Sequence, residues 1–192
     1  MFKNLVVTLT SHQVMQVKGA NGSGKTTLLR KLVGLSDVVE GDVEWYEPVG
    51  SKQELDAGKF LYLGHRPGVT NVSTALENLR FSVSLKAHLS LPEARYLAAL
   101  DKVGLKGFED VPAHSLSAGQ QRRIALARLY LLDEAVPLWV LDEPFTALDL
   151  DGVAKLEQHI ASHSERGGSV ILTTHHRLDM EHLSVLDLEQ YR

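Results

Sequence analysis

Residues 19–27 read Gly-Ala-Asn-Gly-Ser-Gly-Lys-Thr-Thr, and they constrain the fold of this chain more than any other stretch. The stretch fits the phosphate-binding pattern Gly-x-x-x-x-Gly-Lys-[Ser/Thr], whose fixed positions are Gly19, Gly24, Lys25 and Thr26. Glycines let successive backbone N–H groups turn toward an anion, because no Cβ blocks its approach. A glycine-rich turn that caps a helix and binds nothing is the alternative, but the complete pattern favours a nucleotide-phosphate site.

The segments on either side of this loop have the character that the pattern requires. Residues 13–18 alternate as a strand does, and residues 27–34 carry apolar pairs at helical spacing before a terminating glycine. In this order, the positive N-terminal end of the helix is expected to face the phosphates. Lys25 would neutralise the outer phosphates, and the Thr26 hydroxyl is placed to ligate Mg²⁺. The residues expected to contact the nucleotide here are Gly19, Ala20, Asn21, Gly22, Ser23, Gly24, Lys25, Thr26 and Thr27.

Apolar strands alternate with helices along the rest of the chain. Strand-like runs fall at 5–9, 13–18, 43–46, 60–64, 138–141, 168–174 and 185–188. Helical patterns fall at 24–34, 74–105, 117–132 and 151–164, while residues 47–58 are polar and turn-rich. The alternation predicts an α/β fold with a mostly parallel sheet core, and together with the phosphate loop it indicates a P-loop NTPase with a small α-helical lobe. We expect a single domain over residues 1–192, with its core at 1–68 and 138–192 and the lobe at about 69–137.

Two acidic residues follow the apolar strand at 138–141. Ligands of parallel sheets bind beyond the carboxyl ends of the strands, so Asp142 and Glu143 are expected beside the phosphate loop. Asp142 would hold Mg²⁺ as the partner of Thr26. Glu143 is placed to orient or deprotonate the water that attacks the γ-phosphate. Strand-end carboxylates are often solvated caps, but behind a phosphate loop the catalytic interpretation is favoured.

His175 follows the strand that ends at Thr174, and we expect it to contact the γ-phosphate. A surface or capping histidine is the alternative, since the chain contains nine histidines. His176 is the second candidate for the same role. The order of the motifs along the chain favours His175.

Leu116-Ser-Ala-Gly-Gln120 begins another helix, in which Ser117 as the N-cap and Gln120 three residues later predict a capping box. One nucleotide bound by one chain does not need a second helix start that is ready for an anion. Ser117, Gly119 and Gln120 therefore suggest a segment that caps the γ-phosphate held by another copy of the chain. A helix cap without a ligand has the same sequence, so the spacing leaves both interpretations open.

The composition limits the functions that the chain can have. The net charge of −4, from 20 basic and 24 acidic residues, argues against a nucleic-acid surface, and no nucleic-acid partner is expected. The absence of cysteine excludes a disulfide framework and a thiolate metal site. No apolar run approaches the roughly 20 residues that cross a bilayer, so any membrane role is expected to require a partner.

Together these motifs are similar to those of ABC transporter ATP-binding subunits over nearly the whole chain. Their order is phosphate loop (19–26), helical lobe (about 70–112), Leu-Ser-Ala-Gly-Gln (116–120), Leu-Trp-Val-Leu-Asp-Glu-Pro (138–144), Ala-Leu-Asp (147–149) and His175. Within this group the chain resembles the haem-exporter ATPases of bacterial cytochrome c maturation, the CcmA family. The narrower resemblance lies in residues 63–68, 74–81, 107–110, 116–123 and 142–147.

The resemblance implies an ABC-type ATPase that uses ATP and Mg²⁺. Two copies would form a head-to-tail homodimer in the ATP-bound state, with each nucleotide between one phosphate loop and the opposing residues 117–120. Membrane partners are also implied at the cytoplasmic face of the bacterial inner membrane, namely a CcmB-like integral membrane permease and further cytochrome c maturation proteins. Hydrolysis would drive the transfer or release of haem.

Two features depart from the family pattern. The loop after the strand at 60–64 usually carries a glutamine that contacts Mg²⁺ and signals to the membrane subunit, and Arg66 stands at that position. We therefore do not assign Arg66 as a metal ligand. Family members usually begin with a further strand and a residue that packs on adenine, whereas this chain begins at Met1-Phe2-Lys3-Asn4. No residue is therefore assigned to the adenine base.

Two other functions are weighed against transport. A non-transport ABC ATPase that acts on nucleic acid or ribosomes usually has a long coiled-coil insertion or two fused ATPase domains, and this sequence shows neither. A binding-only module that has lost hydrolysis is suggested by Arg66 and by the missing adenine contact. Both interpretations rank behind ATP hydrolysis in a transporter.

Overall fold

A computed structural model of the chain describes residues 3–46, 50–54, 56–87, 90–180 and 183–191. The strands are β1 (Val14–Lys18), β2 (Trp45–Tyr46), β3 (Lys52–Gln53), β4 (Phe60–Leu63), β5 (Leu138–Asp142), β6 (Ser169–Thr173) and β7 (Leu183–Asp187). The helices are α1 (Lys25–Leu32), α2 (Ala75–Ala87), α3 (Glu93–Lys102), α4 (Ala118–Leu132) and α5 (Leu150–Glu165). Short 3₁₀ turns lie at Ala57–Lys59, Ala113–Ser115 and Leu188–Tyr191.

Five parallel strands form the central sheet in the order β4-β5-β6-β1-β7, and β2 and β3 form a separate antiparallel pair. The register places Val14 of β1 beside Val170 of β6 and Leu183 of β7. Because the strands run in one direction, their carboxyl ends lie along a single edge of the sheet. The loops after β5, β6 and β1 are therefore neighbours at that edge. The predicted α/β fold with a mostly parallel sheet is confirmed.

Alternate side chains of β5 enter two different hydrophobic cores. Trp139 and Leu141 pack on the face that carries helices α2 to α5, whereas Val140 packs on the face that carries α1. All three side chains are fully buried. Burial of a large apolar side chain contributes about 1.5–3 kcal/mol. Cover on both faces explains why this strand is apolar at every position rather than at alternate ones.

Helix α4 joins the lobe helices to the sheet, because it contacts α2, α3 and β4. Its buried side chains surround it on several sides and include Ile124, Leu126, Leu129 and Leu132. The predicted capping box is present at its start. The Gln120 backbone N–H donates to Ser117 Oγ at 3.2 Å, and the Ser117 N–H donates to Gln120 Oε1 at 2.9 Å. An N-cap of this kind stabilises a helix by about 1 kcal/mol.

The strand predicted at residues 5–9 is wrong. Both edges of β1 are already paired, with β6 and with β7, and residues 5–9 run outside the sheet. Their apolar alternation has another cause, since Leu5, Val7 and Leu9 pack against the core on the α1 face.

The turn-rich interpretation of residues 47–58 missed β3 and the start of the 3₁₀ turn at Ala57–Lys59. Residues 47–49 and 55 of that stretch lie outside the described part of the chain. The last strand begins two residues earlier than predicted, at Leu183 rather than at residue 185. Among the described residues, no helix has both the length and the apolar character needed to cross a bilayer.

Candidate functional site

The loop after β1 makes a tight turn that leads directly into α1. Gly24 is the N-cap of the helix, with a φ of 97°, and Lys25 is its first residue. A Cβ at Gly19 would lie 2.5 Å from the Ser23 Oγ, so the turn requires glycine at this position. The buried Ser23 hydroxyl makes no hydrogen bond within the described residues. A tight backbone turn at a helix N-terminus, with a hydroxyl donor beside it, is suited to phosphate oxygens.

The Lys25 ammonium lies against this loop. Its Nζ donates to the carbonyl oxygens of Gly19 at 2.8 Å and Ala20 at 3.1 Å. The backbone N–H of Ala20 donates to Glu189 Oε1 at 2.9 Å, so that N–H group is engaged by a carboxylate of the same chain. Of the remaining predicted loop residues, Asn21, Gly22 and Thr26 are exposed and Thr27 is half-buried.

Asp142 is held by two threonine hydroxyls at the end of β5. Thr26 Oγ1 donates to Asp142 Oδ2 at 2.8 Å, and Thr173 Oγ1 donates to Asp142 Oδ1 at 2.7 Å. The carboxyl group is therefore fixed in orientation, and Asp142 is only 2% exposed. The structure thus brings together the two residues that the sequence suggested for Mg²⁺.

The chemistry of these donors fits Mg²⁺, which prefers hard oxygen ligands and is usually bound by one or two carboxylates together with substrate phosphates. Within the described ranges, no group of three or more His, Cys, Asp or Glu side chains is arranged to hold a metal by itself. A magnesium ion held by Thr26 and Asp142 would therefore also need oxygens from the nucleotide and from water.

Glu143 has an unusual backbone conformation, with a φ of 52°. Its N–H donates to Thr173 at both the carbonyl oxygen (3.1 Å) and the side-chain Oγ1 (3.0 Å). The Glu143 Oε1 is buried and has no hydrogen-bond partner among the described residues. A carboxylate oxygen that makes no hydrogen bond, on a backbone that is held in place, is available to act as a general base.

The two histidines after β6 have different surroundings. His175 Nε2 lies 3.6 Å from Glu143 Oε1, and its side chain is 69% exposed. His176 instead contacts other side chains of the protein. Its Nε2 lies 3.1 Å from Glu157 Oε1, and the centroid of its ring lies 5.2 Å from that of Phe145. The geometry therefore favours His175 over His176 as the group that faces a bound phosphate.

A cavity of about 450 Å³ opens at the carboxyl ends of β1 and β6. Its lining includes Lys25 from the phosphate loop and His175 from the loop after β6. Buried Gln16 also lines it and donates from Nε2 to the Thr174 carbonyl oxygen at 3.2 Å. A polar cleft at this edge is where α/β sheets bind their ligands.

Ser117, Gly119 and Gln120 lie at the start of α4. None of the hydrogen bonds of the described residues joins them to the phosphate loop. Gly119 instead approaches the loop after β5, because a Cβ built on it would lie 3.4 Å from the Ala147 Cβ. Within one chain this segment is a helix cap, and its role toward a second copy stays a prediction.

Two residues that hold the site were not identified from the sequence. Thr173 binds both Asp142 and the Glu143 backbone, and its position at the end of an apolar strand was the available signal. Arg122 is buried and donates to the carbonyl oxygens of Asp142 at 2.6 Å and Glu143 at 3.1 Å. Burial lowers the pKa of the Arg122 guanidinium, and the nearby Asp142 and Glu143 charges oppose part of that shift.

Comparison with known sequences gives a consistent result. The sequence pattern of the family described as ABC transporter matches residues 2–146. The cytochrome c biogenesis ATP-binding export protein CcmA of Pseudomonas fluorescens (strain Pf0-1) is 52% identical over 179 residues, covering 93% of this chain and 83% of that protein. The protein of the same description from Saccharophagus degradans is 45% identical over 199 residues, covering 100% of this chain and 88% of the relative.

Solved structures of ATP-binding cassettes have the same fold. A dimeric cassette in a post-hydrolysis state, bound to ADP and Pi, superposes with a TM-score of 0.75 at 27% identity, covering 91% of this chain and 80% of that one. The ATP-binding subunit of an ABC transporter superposes with a TM-score of 0.76 at 23% identity, covering 88% of this chain and 70% of that one.

Proposed function

The chain belongs to the ABC transporter family, and from that premise we propose that it is the ATP-hydrolysing subunit of an exporter in cytochrome c biogenesis. The observation that carries the proposal is the meeting of Thr26, Asp142 and Glu143 at one edge of the sheet, next to His175. We assign residues 1–68 and 138–192 to the nucleotide-binding core and residues 69–137 approximately to a helical lobe.

The phosphate loop binds ATP in this proposal. The backbone N–H groups that begin α1 and the Lys25 ammonium neutralise the phosphate oxygens. The residues of this contact are those predicted from the sequence, 19–27. Lys25 is already within the loop, and its hydrogen bonds to Gly19 and Ala20 would be exchanged for bonds to the ligand.

Thr26 and Asp142 would hold Mg²⁺ together with the phosphates. Bound magnesium neutralises charge on the β- and γ-phosphate oxygens. Thr173 keeps the Asp142 carboxylate in place, because it binds the oxygen that does not face Thr26. The exposed side chain of Arg66 carries a positive charge and has no place in this set of ligands.

Hydrolysis uses Glu143 and His175. Glu143 Oε1 accepts a proton from water as the water oxygen bonds to the γ-phosphorus. The bond from that phosphorus to the bridging oxygen breaks, and ADP and inorganic phosphate are released. His175 would donate to a γ-phosphate oxygen, and its Nε2 lies 3.6 Å from Glu143 Oε1, which supports this role.

A second copy of the chain completes each site. Ser117, Gly119 and Gln120 would cap the γ-phosphate held by the partner, with the Ser117 hydroxyl and the N-terminal end of α4 as donors. The ATP-bound state is therefore a head-to-tail homodimer. Closure of this dimer is the conformational step that a membrane subunit can harness.

The membrane partners follow from the relatives rather than from any surface of the chain. An exporter requires a membrane-spanning subunit, and we propose a CcmB-like permease together with further cytochrome c maturation proteins. The chain would act at the cytoplasmic face of the bacterial inner membrane, with haem as the molecule transferred or released.

The proposal is tested in two stages. Purified chain should release phosphate from ATP in the presence of Mg²⁺, and the Glu143→Gln variant should release it at least about a hundredfold more slowly. Expression in a bacterium that lacks its own cytochrome c biogenesis export ATPase should then restore covalently bound haem in c-type cytochromes. A chain that hydrolyses ATP but does not restore these cytochromes would refute the export role and leave the ATPase assignment intact.

A further inference from the structure

Arg122 is a buried cation that contacts only the backbone among the hydrogen bonds of the described residues. It lies five positions after the helix N-cap Ser117 and is 6% exposed. Its Nη1 donates to the carbonyl oxygens of Gly64 and His65, and its Nη2 donates to those of Asp142 and Glu143. The guanidinium therefore joins the loop after β4 to the end of β5.

Such an arrangement is demanding, because a buried guanidinium must have its donors satisfied and its charge offset. The planar fork of arginine presents several donors in fixed directions, which a lysine ammonium does not. Only arginine can hold the Gly64 carbonyl with one nitrogen and the Asp142 carbonyl with the other in this geometry.

The backbone of Glu143 is held on both sides of its Cα atom. Its N–H is fixed by Thr173, and its carbonyl oxygen accepts from Arg122. A φ of 52° is unfavourable for a residue other than glycine and persists only when the surroundings impose it. Loss of the Arg122 contact would therefore free the residue from the conformation that directs its carboxylate.

The loop after β4 is fastened to the same helix a second time. Arg128 Nη2 donates to the Pro67 carbonyl oxygen at 3.0 Å. Three carbonyl groups between Gly64 and Pro67 therefore accept hydrogen bonds from α4. Movement of this loop and movement of α4 both act on Arg122.

We propose that Arg122 is a positioning residue that orients the Glu143 carboxylate for catalysis and makes its orientation depend on residues 64–67. The assignment rests on the proposed function, since Glu143 is the base there. Because Ser117 caps the N-terminus of α4, this one helix would link the base of one site to the residues that cap the partner's nucleotide.

The test is the Arg122→Lys variant, which keeps the charge but loses the fork. Arg123→Lys is the matched control, because within the described part of the chain the Arg123 side chain donates to the carbonyl oxygens of Val103 and Gly104, outside the site. For R122K we expect kcat to fall about 10- to 100-fold, since small misplacements at a reacting centre cost this much. The Kd for ATP should change less than about threefold, and R123K should change neither value beyond about twofold.

A second measurement distinguishes positioning from a structural effect. If Arg122 acts through Glu143, R122K should lower the residual turnover of an E143Q background by less than about threefold. An equal fold-loss in both backgrounds, or a wild-type kcat in R122K, would overturn the assignment while the ATPase function stands. Arg122→Gln, which keeps an N–H₂ donor without the buried charge, replaces R122K if the lysine variant does not fold. A wild-type chain that fails to hydrolyse ATP would refute the proposed function and this inference with it.

Discussion

The Thr26 hydroxyl donates to Asp142 Oδ2 at 2.8 Å, although 116 positions of sequence separate the two residues. The contact spans β6, which lies between β1 and β5 in the sheet. Thr173 at the end of β6 binds the other oxygen of the same carboxylate, so Asp142 connects the end of β5 both to β6 and to the first turn of α1. A shift of β6 or α1 relative to β5 would therefore move the carboxylate of Asp142, which would hold the metal.

Replacement of Glu143 by glutamine should trap an ATP-bound dimer. The amide keeps the size of the side chain but accepts a proton far less readily, so turnover should fall at least about a hundredfold. Phosphate release measures the turnover, and light scattering at saturating ATP measures the mass. A variant that remains monomeric under these conditions would refute the trans role of Ser117, Gly119 and Gln120.

Replacement of Thr173 by valine should weaken both the fold and the catalytic centre. The substitution removes the donor to Asp142 Oδ1 and an acceptor for the Glu143 N–H. A buried group left unpaired in this way costs about 1–3 kcal/mol, measurable as a shift in the urea midpoint. Thr10→Val is the control, because the one hydrogen bond of its hydroxyl to another described residue, Gln13, is long and exposed. Equal stability of the two variants would show that the Thr173 contacts contribute nothing.

Alanine substitution at His175 should lower mainly the activity, whereas alanine substitution at His176 should lower mainly the thermal stability. His175 is largely exposed, so H175A should leave the melting temperature unchanged but lower kcat about 10- to 100-fold, the effect of losing a charge-assisted hydrogen bond. His176 packs against Phe145 and binds Glu157, so H176A should lower the melting temperature more than it lowers kcat. The reverse pattern would assign the γ-phosphate contact to His176. Calorimetry and phosphate release provide the two measurements.

Acid should selectively remove the stabilisation that Asp133 provides. Burial by itself raises the Asp133 pKa, but a hydrogen bond from His163, the charge of His159 and the contact with Arg166 together bring it below its usual value. A carboxyl with a lowered folded-state pKa stabilises the protein above its unfolded pKa of about 3.9, and this stabilisation is lost as the pH falls through the folded value.

The measurement is the difference in unfolding free energy between wild type and Asp133→Asn, at pH 7, at pH 5 and near pH 3. The difference should be smaller near pH 3 than at pH 5, because the Asp133 carboxylate is protonated at the lower pH. A difference that stays the same at all three would show that the Asp133 charge makes no contribution to stability.

The parts of the fold that were predictable are those where one local pattern has one physical cause. A continuous apolar run at 138–141 indicated a strand buried on both faces, and the Ser117–Gln120 spacing indicated a capping box that the structure contains. The glycine loop was predictable because Gly19 and Gly24 occupy backbone positions that other residues rarely adopt. The alternation at residues 5–9 led to a wrong strand prediction, because it results from burial against the core and not from pairing with another strand.

The remaining features depend on contacts between distant segments. Arg122 looks like a surface residue next to Arg123 in the sequence, and only the approach of residues 64–65 and 142–143 makes it a buried connector. Thr173 is one of two adjacent threonines, and the sequence does not say which one faces the carboxylate. The role of Ser117 requires a second copy of the chain, which no property of one sequence supplies.

The position of β1 between β6 and β7 has a consequence for synthesis of the protein. The phosphate loop leaves the ribosome well before β6 and β7, the two strands that flank β1 in the sheet. A nascent chain that has not yet released residues 169–187 lacks the two neighbours that hold β1 in place. The phosphate loop therefore gains the support of its sheet only after β6 and β7 have been synthesised, and we expect ATP binding to follow their synthesis.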